Sequence, residues 1–290
     1  MLFDRFIAVD WSAANAPRLG ANAIWIAETG RSSCNLPTRH AAMTHLRTRL
    51  RAALAAGERL LVGCDFSFGF PLGAAERLAG SADWRALWAR LAAAIIDGPD
   101  NRSNRFDVAS AFNVRLGQPL FCGHPVGRSY PALAPRRTPA AYAEIAEKRL
   151  AERLTRAAQP VWKLMGAGSV GSQTLLGIAH LEALRQDAEL GPAIAVWPFE
   201  TGFTGPFVRP ITLCEIYPSM FPLAADTEPR DRAQVEAVVA GFAALNRADA
   251  LGALLAPPLL DSATTNGLLS EEGWIAGVGR EAMLVGRLAA

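Results

Sequence analysis

The sequence predicts an α/β protein, a mixed sheet flanked by helices, and three observations carry that prediction. Short apolar runs bounded by turn residues, "RFIAVDWS", "NAIWIAETG" and "RLLVGCDFSFG", read as buried strands. Between them "TRHAAMTHLRTRLRAALAAG" sets apolar and small residues at helical spacing and stops at Gly57. Hydrophobic residues make up 51% of the chain and charged residues 19%, a balance suited to layered helices and sheet rather than to a disordered or fibrous chain.

Taken in order, the first two strands form a hairpin through the loop "AANAPRLGA", whose Pro and Gly break both periodicities. The helix that follows leads into the strand ending "GCDFSFG". Residues 76–158 then change character. Trp84, Trp88 and Leu91 fall at helical spacing, a loop-like stretch runs from "DGPDNRSNRF" to "APRRTP", and "AAYAEIAEKRLAERLTRAA" reads as a charged helix. A loop-rich stretch of this length in a compact fold is more often functional than idle, so residues 76–158 are read as an insertion that covers or extends a site. Regularity returns with "PVWKLM" as a short strand or edge segment and "GSVGSQTLLGIAHLEALRQ" as a helix. "PAIAVWPFE" and "RPITLCEIYPSMF" are further strands, and "RDRAQVEAVVAGFAALNRA" is a last long helix. No repeat period appears, and 290 residues fit one elaborated domain spanning 1–290.

Composition removes several functional classes. Cys34, Cys64, Cys122 and Cys214 are far apart and form no C-x-x-C pair, which argues against a zinc ribbon or a disulfide scaffold. No signal-peptide pattern and no bilayer-spanning apolar stretch is present, so a cytoplasmic protein with reduced thiols and no membrane partner is expected. Net charge is only +2, without the global basic field of a dedicated nucleic-acid binder. The local clusters, Arg47/Arg49/Arg51, Arg136/Arg137 and Lys148/Arg149/Arg153/Arg156, read as solvated faces.

Two motifs invite chemistry. "GAGSVG", Gly166 to Gly171, spells a dinucleotide fingerprint and opens a helix, but no acid closes a second strand about twenty residues on. A tight turn is the plainer reading. A third reading makes Gly168, Ser169 and Gly171 a phosphate-binding helix start, suited to a nucleotide-like ligand or to a nucleic-acid backbone. "DFSFG" around Ser67 lacks the first Gly of a nucleophile elbow, and with it the steric reason for that motif.

The acids are better material. One apolar run ends in Asp10-Trp11-Ser12 and another in Asp65-Phe66-Ser67, so parallel neighbouring strands would bring two carboxylates to one sheet edge. Glu200 closes "AVWPFE", Glu215 sits inside the apolar "TLCEIYPSMF" where a salt bridge to Arg209 competes with a functional role, and Asp231 and Glu236 belong to the last helix. Carboxylates converging on one edge repel one another unless protonated or bridged by a cation. Oxygen-only ligation points to Mg²⁺ or Mn²⁺.

On these residues, the "VDWS" strand, "GCDFSFGFP", "CEIYPS" and "DRAQVEAVVAGFAAL", the chain resembles the uncharacterised bacterial predicted nucleases of RNase H-like fold, over roughly residues 3–75 and 160–250. The resemblance implies an RNase H-like mixed sheet whose first strand carries an indispensable Asp, with a second acid on a later strand and a third on the late helix. Those are Asp10, Asp65 and either Asp231 or Glu236, with Glu215 close by. It also implies divalent-metal phosphodiester hydrolysis, Asp10, Asp65 and Glu215 holding the metal and Asp231 completing the catalytic set. The chain departs from the family in following Asp231 with Arg232 rather than a second acid. Two other readings stay open: an RNase H-like binding module without catalysis, and an actin-like or sugar-kinase-like phosphotransferase.

Overall fold

A computed structural model describes residues 1–138, 142–166, 168–223 and 228–285. The apolar runs form strands β1 (Arg5–Asp10), β2 (Ile24–Glu28), β3 (Cys34–Leu36), β4 (Leu60–Cys64), β5 (Ile194–Val196) and β6 (Ile211–Glu215) of a single sheet, in the order β3-β2-β1-β4-β6-β5. β1, β4, β6 and β5 run parallel, while β2 is antiparallel to both β1 and β3. The central strands are apolar at nearly every position because helices cover both faces, as parallel sheets require.

Strand parity divides the core. Val9, Val62, Cys64 and Leu213 face one layer, packed on Met43, Leu46 and Leu50 of α1 (Arg39–Ala55) and on Leu175 and Ile178 of α6 (Gly171–Arg185). Phe6, Ala8, Leu61 and Cys214 face the other layer, packed on Val235, Val238 and Phe242 of α7 (Arg230–Arg247). The side-chain period of two on each strand decides which layer every residue enters.

Residues 76–158 hold more helix than their composition shows. α2 (Ala74–Ala79) and α3 (Trp84–Ala94) are followed by α4 (Arg105–Leu116), inside the stretch read as loop. Trp84, Leu87, Trp88 and Leu91 bury against the α1/α6 face, and α3 packs along α6. The charged stretch is helical only at α5 (Leu150–Leu154) among the described residues; 139–141 lie outside them. "PVWKLM" forms turns with one isolated bridge, Cys122 to Lys163, rather than a strand. β3 is a correction too, since three half-buried residues carry too little alternation to be seen as a strand. Short helices α8 (Leu251–Leu255), α9 (Ser262–Gly267) and α10 (Ala282–Val285) follow, with Leu251, Leu254, Leu255 and Leu284 buried in the α7 layer. No helix among the described residues is long and apolar enough to cross a membrane.

Candidate active site

Because β1, β4 and β6 are parallel, their C-terminal ends open on one edge, where open α/β sheets hold their ligands. Val9 pairs with Cys64, and Cys64 with Glu215. The next residues on β1 and β4 are Asp10 and Asp65, held in register by the Asp65 N–H donating to the Val9 carbonyl at 3.0 Å. Neighbouring strands lie about 4.8 Å apart, so the two carboxylates start side by side. By parity they leave the sheet on the α7 face, where Asp231 occupies the first turn of α7. All three line one cavity of about 490 Å³.

Charge crowding follows from that placement. Burial, then Asp65, then Asp231 push Asp10 well above the ordinary carboxylate range. Burial, then Glu215 and Asp231, push Asp65 up to about 7. Neither carboxylate accepts a hydrogen bond from, or pairs with a cation of, the described residues.

Glu215 also lines the cavity, but its parity sends it to the opposite face of the sheet. There its Oε1 accepts from Arg149 Nη2 at 2.6 Å, and its Oε2 accepts from Arg149 Nη1 at 2.8 Å and from the Phe68 N–H at 2.9 Å. Burial raises the Glu215 pKa in spite of the Arg149 guanidinium. The partner is thus Arg149 and not Arg209, which bonds the Ile194 carbonyl and Glu200. With both oxygens of Glu215 engaged, the expected ligand trio of Asp10, Asp65 and Glu215 meets a different geometry. No group of three or more His, Cys, Asp or Glu side chains that could hold a metal ion occurs among the described residues.

Arg149 overturns the reading of its cluster as a solvated face. It is fully buried, and Glu215 and Glu152 keep it charged against the cost of burial. Its Nε donates to Glu152 at 2.9 Å and its Nη1 to the Glu272 carbonyl at 2.8 Å. Ser67 Oγ donates to the same Glu152 oxygen at 3.2 Å, so the "DFS" serine is tied to a structural ion pair and not to a histidine.

The β1–β2 loop is fastened from three sides. Arg39, fully buried, donates from Nη1 to the carbonyls of Ser12 at 3.1 Å and Ala14 at 2.9 Å while gripping Asp97 with Nε and Nη2, both at 2.6 Å. Gln173 of α6 donates to the Trp11 carbonyl, and the Asn22 N–H donates to Asp231. His180 bonds Asp97 at 2.8 Å and does not line the cavity. Neither Arg39 nor Arg149 stands out in the sequence, because each lies in an arginine-bearing helical stretch and its partners are remote in the chain.

The glycine motif forms the far wall. Gly168 and Ser169 line the same cavity, whereas Gly171 lies behind it, where a Cβ would stand 2.3 Å from the Val161 carbonyl oxygen. The N–H of Ser169 is bonded to Gly166 and that of Gly171 to Lys163, so the backbone donors of a phosphate cradle are partly used. Glu236 accepts from Ser33 and Arg232 and lines a different groove, which leaves Asp231 as the helix acid at the strand ends. Glu200 is held by the Val196 N–H and by arginines. Comparison with protein-family models, with curated proteins and with solved structures gave no match.

Proposed function

We propose that the cavity is the active site of a divalent-metal-dependent hydrolase of phosphodiester bonds, built on an RNase H-like sheet. One observation carries the reading: the β1–β4 register sets Asp10 and Asp65 side by side on the face that Asp231 shares. Asp10 and Asp65, both with raised proton affinity and neither with a basic partner among the described residues, share the cavity with Asp231, and such crowded carboxylates suit a cation better than they suit one another. The antiparallel β1-β2-β3 meander followed by parallel β4 and β6 supports the fold assignment.

Asp10 and Asp65 would hold a Mg²⁺ or Mn²⁺ ion that keeps several of its waters, as sites with one or two carboxylates do, with Asp231 adding negative charge across the same cavity. When bound, the ion supplies the positive charge that phosphodiester hydrolysis needs at the attacked phosphate and at the water. The chain itself fixes the carboxylates. The ladder bond from Asp65 to Val9 sets one, and the Arg39 and Gln173 clamps on the loop after Asp10 set the other. Arg149 anchors the β6 end by neutralising Glu215.

The test is hydrolysis of bis(p-nitrophenyl) phosphate with and without Mn²⁺, alongside Mn²⁺ titration calorimetry. Asp10→Asn is expected to abolish both cleavage and Mn²⁺ binding while melting at or above the wild-type temperature. Cleavage by Asp10→Asn at the wild-type rate would end the proposal. Wild-type protein that neither binds Mn²⁺ nor cleaves would favour the binding-module reading.

A further inference from the structure

A second cavity, of about 610 Å³, adjoins the acidic one. Arg136, Arg137, Lys148 and Lys163 line it, with Glu147 as the sole carboxylate among its described lining residues. Gln159 lines both cavities, and Met165 of the basic one is followed in the chain by Gly166 of the acidic one. Arg137 offsets Glu147 at 2.9 Å. Arg136 pairs with no carboxylate among the described residues, and Lys148 Nζ bonds a neutral carbonyl, Ala158, at 2.8 Å. The cavity therefore keeps a positive surplus.

That surplus is concentrated. Between Cys122 and Met165 the chain carries eight arginines and lysines against three glutamates, while the whole protein has a net charge of only +2. The near-neutral total thus hides a basic region beside an acidic one. The acidic cavity alone repels a phosphate chain, so a polyanionic substrate needs its grip elsewhere. Both cavities are recessed, and Gln159 lies on the wall of each. A duplex with a persistence length of about 50 nm does not bend into such recesses at low cost, whereas a single strand does.

We propose that the Arg136/Arg137/Lys148/Lys163 cavity is a phosphate-binding subsite that holds the backbone of a single-stranded nucleic acid beside the acidic cavity. The role of the bound strand as substrate rests on the hydrolase reading; the binding does not.

The experiment is fluorescence anisotropy of full-length protein with a fluorescein-labelled single-stranded oligonucleotide of about 15 nucleotides, in EDTA so that no cleavage intervenes, across a salt series. Arg136→Ala/Arg137→Ala is expected to weaken binding at least tenfold at low salt. It should also flatten the log–log salt slope by about 1.4, from roughly 0.7 per phosphate contact on a single strand. The arginine pair Arg31→Ala/Arg247→Ala, in the groove beside α7, serves as the control and should stay within twofold of wild type. Because Arg137 also packs over Tyr142, the single variant Arg136→Ala, at an exposed position that pairs with no carboxylate among the described residues, is measured in parallel and should lose severalfold. The proposal is overturned by wild-type protein that binds no oligonucleotide, by Arg136 and Arg137 variants within twofold of wild type, by equal loss in the control pair, or by equally tight binding of the duplex. Loss of binding in these variants with no cleavage by wild type sinks the hydrolase reading and keeps the subsite. Cleavage abolished by Asp10→Asn with oligonucleotide binding unaffected by Arg136 and Arg137 does the reverse.

Discussion

Asp97→Asn is the perturbation whose size the structure defines best. Asp97 receives two charged hydrogen bonds of 2.6 Å from Arg39 and one of 2.8 Å from His180, and its side chain is only 5% exposed. Burial by itself would raise its pKa, but those partners overcome burial and lower it from 3.8 to about 2. A fall of that size corresponds to about 2.5 kcal/mol of stability. The depressed value fixes the sign: the contribution is present in full above the unfolded pKa near 4 and is lost as pH falls toward 2. Leaving Arg39 buried without its carboxylate costs more than the linkage value alone, about 3–5 kcal/mol for a broken buried pair. Urea unfolding of both proteins from about pH 7 down to about pH 2.5 should show Asp97→Asn less stable by ~2.5–5 kcal/mol at neutral pH, with the gap closing at the acid end. Equal stability at pH 7, or a gap that stays constant into acid, would refute the reasoning. Because Arg39 also clamps the Ser12 and Ala14 carbonyls, the proposed hydrolysis should fall with stability even though Asp97 lies outside the cavity.

Two other outcomes follow from the buried charges. Arg149→Met leaves Glu215 and Glu152 buried without their cation and should cost about 3–5 kcal/mol in denaturant unfolding; adding Glu215→Gln should recover part of the loss, and no recovery would argue against the pairing. Asp65, held up to about 7, is favoured in its protonated form by the folded state, so metal-free protein should lose stability as pH rises from about 4 to about 7. Asp65→Asn should then melt higher than wild type at pH above 7 in EDTA, and a lower melting temperature would contradict the crowding.

Much of the sheet is legible in the amino-acid sequence. Phe6 to Val9, Leu60 to Cys64 and Ile211 to Cys214 are apolar runs too short for helices, and Gly57 ends the helix between the first two sets where the periodicity stops. The helix α4 is not legible, because Asn101, Ser103, Asn104 and Asn113 give its surroundings a loop's composition. Its Asn113 is in fact buried, bonding both the backbone N–H and the carbonyl of Phe121. The strand reading of "PVWKLM" fails for the converse reason, apolar residues buried in turns whose pairing stops at a single bridge to Cys122.

The sequence by itself determined which residues were strand ends, and the repeated Asp-aromatic-Ser made Asp10 and Asp65 candidates for one edge. Local periodicity and turn chemistry act over a few residues, and these features need nothing longer. Only the tertiary structure decided that β1 and β4 are in register and that Glu215 turns to the opposite face. It alone sank Arg149 from an apparently solvated run into the core to meet a carboxylate 66 residues away. Which face an acid leaves by depends on pairing register, and which charge is neutralised depends on a partner remote in the chain. Both are properties of the packed sheet rather than of any window of sequence.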